Sequence, residues 1–112
     1  MEGAQLKAIL IDPWQKSIER IDIRNGNDRL ALEDLHKLVG EDGLDFAYIM
    51  AGECVAVGDH SALHEPPLPS YRIEGHKHRL YGCGVVLGFH RDGTERETRL
   101  SVDDISQLIT WH

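Results

Sequence analysis

The chain has 112 residues, 41% of them hydrophobic and 28% charged, with 19 acids against 12 Lys and Arg and a formal charge of −7. That length and composition point to one folded domain spanning residues 1–112 and exclude a disordered chain. The negative balance disfavours direct binding to nucleic acid, and the longest apolar run, Val85–Leu87 with its glycine neighbours, is too short to cross a membrane.

The charge is unevenly spread. From Glu41 to Glu65 there are six acids (Glu41, Asp42, Asp45, Glu53, Asp59 and Glu65) and no Lys or Arg. The flanking stretches are nearly neutral. A one-sign patch selects basic protein surfaces or cations. Met1-Glu2-Gly3-Ala4 has neither a basic nor an apolar leader pattern, which points to the cytoplasm. Two cysteines, Cys54 and Cys83, are too few for a disulfide framework and read as free thiols on strands.

In chain order, Leu6–Asp12 is a dense apolar run ended by Pro13 and reads as a buried strand. Ser17–Arg24 follows as its hairpin partner. Ile21 and Ile23 alternate with Asp22 and Arg24, and Ile18, out of phase, suggests a bulge. Asn25-Gly26-Asn27-Asp28 is a turn leading into a helix cap. Ala31, Leu35, Leu38 and Val39 fall on one face of a helix over 29–39, which Gly40 ends.

Leu44–Met50 and Glu53–Val57 read as two strands about an Ala51-Gly52 turn. Gly58–Ser70, with Pro66, Pro67 and Pro69, is a long irregular stretch of the kind that often carries function. Its Pro66-Pro67-Leu68-Pro69 segment reads as a stiff surface loop. Tyr71–Glu74 suggests a short edge strand. Leu80–Arg91 holds the main core strand, Cys83–Phe89, in which Gly82, Gly84 and Gly88 mark close packing rather than a phosphate loop. Asp92-Gly93 suits a two-residue type I′ hairpin, with Thr94–Leu100 returning and Arg91, Arg96 and Arg99 on a solvated face. Ser101 caps a closing helix, with Asp104 completing a capping box and Ile105, Leu108 and Ile109 as its apolar stripe. The expected fold is α+β: a mostly antiparallel sheet of about five to seven strands with two helices packed on it.

Three segments together carry a resemblance. They are Ala8-Ile9-Leu10-Ile11-Asp12-Pro13 with its Ile-rich partner strand, the glycine-rich Gly82–Gly88 strand with its Asp-Gly hairpin, and the short closing helix. This order resembles a family of small phage- and plasmid-borne proteins of unknown function. The family carries no known reaction, so the resemblance assigns no catalytic residue. It implies a mobile-element accessory protein acting on host machinery.

Two function classes follow. The first is a non-enzymatic protein, without cofactor, that binds and inhibits or modulates a host protein, such as a nucleic-acid-handling defence complex. It would do so through Glu41, Asp42, Asp45, Asp59 and Glu65 against a basic surface of the partner. The second is a small metal- or ligand-binding enzyme. Here His60, His64, His76 and His78 would gather a divalent transition metal, with His76 and His78 on one side of an extended strand and His60 and His64 approaching from the loop. That spacing matches no standard zinc motif. Exposed sheet edges also allow a homodimer.

Overall fold

The computed structural model describes residues 5–24, 28–40 and 43–112. They form nine strands and two α-helices: β1 (Gln5–Asp12), β2 (Ser17–Arg24), α1 (Asp28–Val39), β3 (Leu44–Met50), β4 (Glu53–Gly58), β5 (Ser70–Ile73), β6 (Leu80–Tyr81), β7 (Gly84–Phe89), β8 (Glu95–Arg96), α2 (Val102–Leu108) and β9 (Ile109–Trp111). The expected α+β class holds, with every described strand pairing antiparallel. The strands divide into two sheets. A six-stranded sheet runs β2-β1-β7-β4-β3, with β8 on the end of β7, and a three-stranded sheet runs β6-β5-β9.

Two cores sit on opposite faces of the large sheet, and strand alternation explains both. Leu6 and Ala8 of β1, Ile23 of β2, Ala56 of β4, and Val85 and Leu87 of β7 point one way and pack with Leu35 of α1. Ile9 and Ile11, Val55 and Val57, and Val86 point the other way, against Tyr71, Ile73 and Leu80 of the small sheet and Ile105 of α2. Both faces of the central strands are covered, so β1 and β7 read as nearly continuous apolar runs.

The sheet alternation also accounts for Ile18. The β1–β2 register runs without interruption from Gln5↔Arg24 to Asp12↔Ser17. The expected bulge is absent there because Ile18 faces the second core while Ile21 and Ile23 face the first. α1 ends at Gly40, whose φ of +79° and N–H to the His36 carbonyl (2.9 Å) close the last turn. The expected cap at 25–27 lies outside the described residues. Asp34 of α1 is half-buried. It accepts from Arg24 Nη2 at 2.7 Å, Arg24 Nε at 3.0 Å and the Arg24 backbone N–H at 2.8 Å, tying the helix to the end of β2.

Elsewhere the expected strands are shorter or differently placed. Gly82, at φ +76°, breaks the 80–91 run into β6 and β7, so one expected strand serves two sheets. β5 is the centre of the small sheet, not an edge, because the chain continues past α2 into an unforeseen strand, β9. Ile109 therefore belongs to β9 rather than to the helical stripe. The α2 cap matches expectation: Ser101 Oγ accepts from the Asp104 N–H, and Asp104 Oδ2 accepts from the Ser101 N–H. At 90–94 the loop is one residue longer than a type I′ turn. Phe89 pairs with Glu95, the Gly93 N–H reaches the His90 carbonyl, and Gly93 rather than Asp92 has positive φ. Asp92 instead accepts from the Thr94 N–H and hydroxyl.

Gly84 and Gly88 do mark close packing. A side chain on Gly84 would meet the Tyr71 hydroxyl, and one on Gly88 would meet the Arg96 guanidinium. The Tyr71 hydroxyl is buried with no hydrogen-bond partner among the described residues, and burial pushes its pKa far upward. Among the described residues, no helix is long and apolar enough to cross a membrane.

Candidate functional site

The β3–β4 hairpin carries two of the six acids of the charged stretch, Asp45 and Glu53, leads directly into a third, Asp59, and sends them to very different places. Glu41 and Asp42 lie outside the described residues. Glu53, at the turn end, is 2% exposed, contrary to a solvated acidic stretch. Its Oε2 accepts from Arg96 Nη1 (2.9 Å) and the Arg99 N–H (3.2 Å), and its Oε1 accepts from the Thr98 hydroxyl (2.6 Å). Arg96 is 8% exposed and also donates to the carbonyls of Gly52 (3.0 Å) and Glu97 (2.9 Å). The expected solvated face of Arg96 is thus an internal clamp. Gly88 opposite Glu53 leaves room for the guanidinium. The clamp fixes the segment before α2 to the sheet and removes Glu53 from any role in recognition.

The open end of the same hairpin behaves differently. Asp45 pairs with Val57 and Leu44 with Gly58, and the Asp59 N–H reaches the Gly43 carbonyl at 3.1 Å. Asp59 is therefore diagonal to Asp45 on the same face, roughly 7–8 Å away by strand geometry. The Asp59 carboxylate lies over Gly43, where a side chain would collide with it. Among the described residues neither aspartate pairs with Lys or Arg. Asp45 Oδ1 accepts from the Phe46 N–H (3.0 Å), and Asp59 Oδ1 lies 3.1 Å from His60 Nδ1. Two carboxylates at that separation repel by about 0.6 kcal/mol in bulk water and about 2 kcal/mol at the effective dielectric of a protein surface.

Both aspartates line a cleft of about 220 Å³. Ala47, Val57 and Leu80 form its apolar floor, the turn at Ser61–Leu63 supplies Ser61 and Ala62, and the segment before β6 supplies His76, His78 and Arg79. A water molecule takes about 30 Å³, so the cleft holds about seven waters or one long side chain. It is smaller than the roughly 300–1,000 Å³ of most small-molecule pockets.

The histidines do not assemble as a ligand set. The segment carrying His76 and His78 is a turn, not an extended strand, and the two rings stand edge to face with centroids 5.9 Å apart. His76 Nδ1 lies 3.2 Å from the Tyr48 carbonyl, on the outer edge of β3. His60 and His64 flank the turn at Ser61–Leu63, and neither lines the cleft. Among the described residues no three His, Cys, Asp or Glu side chains converge to hold a metal. Glu65 is exposed in the proline loop and is not among the cleft residues. Cys54 and Cys83 are free and half-buried. Burial first, then Asp12, pushes the Cys83 thiol up to about 11, so it is protonated and unreactive at neutral pH.

Two features of the site escape the sequence reading. The cleft floor comes from residues far apart in the chain, visible beforehand only as the alternation of Asp45, Ala47 and Ile49 in β3. Arg79 lines the same cleft, yet its Nη2 reaches His112 Nδ1 at 3.4 Å instead of either carboxylate. Comparison of the chain with protein-family models, with curated proteins and with solved structures finds no match in any of the three. None of the three supports the expected resemblance to small phage- and plasmid-borne proteins.

Proposed function

We propose that the protein is a non-enzymatic binding module that docks a partner protein by taking one of its Lys or Arg side chains into the cleft. The aliphatic stem lies on Ala47, Val57 and Leu80, and the cation sits between Asp45 and Asp59. The observation that carries this reading is the pair of neighbouring aspartates at the mouth of a cleft sized for one side chain, with no Lys or Arg partner among the described residues. A bound cation adds two attractions, each worth up to about 4 kcal/mol before desolvation at 4 Å and surface dielectric, which offset their mutual repulsion. His76, His78 and Arg79 on the facing wall disfavour a uniformly basic surface and favour a single projecting cation. Inhibition or modulation of a host complex is the consequence we assign to such docking.

The test is capture of partners from host extract by the immobilised protein, at low and high salt, beside an Asp45→Lys/Asp59→Lys variant. The expected result is a partner retained at low salt, released at high salt and lost by the variant. Equal retention by the variant contradicts the proposal.

A further inference from the structure

The outer face of the small sheet gathers positive charge that no described carboxylate answers. Tyr71 pairs with Leu80, and the same register continued one rung past the end of β6 sets Arg72 opposite Arg79. Like charges in that position cost stability. On the other side Arg72 pairs with Thr110, and the His112 N–H donates to the Ser70 carbonyl at 3.0 Å. Tyr71, Ile73, Leu80 and Trp111 point into the core, so Arg72, Arg79, Thr110 and His112 point away from it. Arg79 reaches across β5 to His112, with Nη2 and Nδ1 3.4 Å apart. The His112 imidazole is held below its ordinary pKa, by desolvation first and then by Arg79 and Arg72, which places both guanidiniums within electrostatic reach of it.

Arg24 pairs with Asp34 and Glu33, and Arg96 with Glu53, while Arg20, Arg91 and Arg99 form no ion pair among the described residues. Among the described residues no carboxylate pairs with Arg72 or Arg79. Glu74, two residues beyond Arg72, forms an ion pair with neither.

We propose that Arg72, Arg79, Thr110 and His112 form a binding site for a phosphate-type oxyanion on the outer face of the β6-β5-β9 sheet. Two planar guanidiniums present paired N–H donors that match the oxygens of a phosphoryl group. The Thr110 hydroxyl adds a donor, and His112 becomes one by taking up a proton as the anion arrives. A dianion relieves the repulsion between Arg72 and Arg79 and favours the protonated form of His112. The site shares Arg79 with the lining of the cleft, but Arg72, Thr110 and His112 lie outside that lining, and the site does not need a partner in the cleft.

The test is an NMR titration of the full chain with inorganic phosphate and, separately, with phosphoserine, against chloride at matched ionic strength. The expected result is saturable shifts of the Arg72 and Arg79 Nε–H signals and a rise in the His112 pKa. Arg72→Gln should weaken binding by about tenfold, the loss of one charge-assisted donor pair, while leaving Asp45 and Asp59 unperturbed. Saturation by both ligands, or by phosphoserine alone, supports the site and separates free phosphate from a monoester as its source. Absence of saturable shifts, an identical response to chloride, or unchanged affinity in Arg72→Gln overturns it.

Discussion

The two ends of the β3–β4 hairpin carry the same chemistry to opposite ends. At the turn, Glu53 is 2% exposed and every hydrogen bond it makes serves the fold. At the open end, Asp45 and Asp59 share a face, stay accessible and lack a Lys or Arg partner among the described residues. What separates them is not the acid but what the rest of the chain brings opposite it. Arg96, Thr98 and the Arg99 N–H arrive over Glu53, while the open end meets a cleft. A count of acids along the sequence cannot distinguish a structural carboxylate from one available for binding.

The largest expected effect breaks the buried end. Glu53→Gln leaves the Arg96 guanidinium buried without its counter-charge, a loss of about 3–5 kcal/mol. That is a large part of the roughly 5–15 kcal/mol that holds a domain together. Denaturant unfolding should show it, and Glu53→Gln/Arg96→Met should recover much of the loss because the stranded charge goes with it. Equal stability of Glu53→Gln and wild type would mean the clamp is not structural.

Between the two ends of the hairpin, Val55 and Val57 lie beside the unpartnered Tyr71 hydroxyl. Tyr71→Phe removes a buried polar atom that has no partner among the described residues and should stabilise the fold by about 1 kcal/mol, read as a higher denaturation midpoint with an unchanged slope.

A smaller effect compares Asp34 with the open-end aspartates. Its hydrogen bond with Arg24 holds the Asp34 carboxyl below the ordinary aspartate range. A carboxyl whose folded pKa is depressed stabilises fully above the unfolded value and loses that contribution as pH falls through the folded one. Asp34→Asn should therefore melt lower than wild type at pH 7, and the two curves should converge in acid. Parallel curves at all pH values would contradict the assignment.

The smallest stability effect belongs to the open end. Asp45→Asn/Asp59→Asn should change folding stability by no more than about 0.5 kcal/mol, as expected of surface substitutions, while abolishing partner capture. A substantial loss of stability would make these acids structural, like Glu53.

Local patterns made much of this fold legible. The alternation in β2, the Gly40 stop, the Ser101–Asp104 capping box and the antiparallel α+β class all rest on near neighbours in the chain, and all are found. What the sequence hid depends on distant pairing. Ile18 suggested a bulge because only one wet face was assumed for β2, whereas the sheet has a core on each side. Tyr71 looked like an edge because β9 is a three-residue strand with no pattern long enough to read. Arg96 looked solvated because its alternation with Glu95 and Glu97 is the same whether the arginine faces water or a carboxylate 43 residues away. Of the candidate site, Asp45 and Asp59 were named from charge alone. The cleft beneath them, and the failure of the four histidines to gather, depend on where the turn before β6 lands.

The most direct test follows the side-chain carboxyl signals of Asp45, Asp59 and Glu53 by NMR as a short lysine- or arginine-containing peptide is added. The account predicts saturable shifts at Asp45 and Asp59, lost in high salt, with Glu53 unmoved. Shifts confined to other acids, or none that saturate, would contradict it.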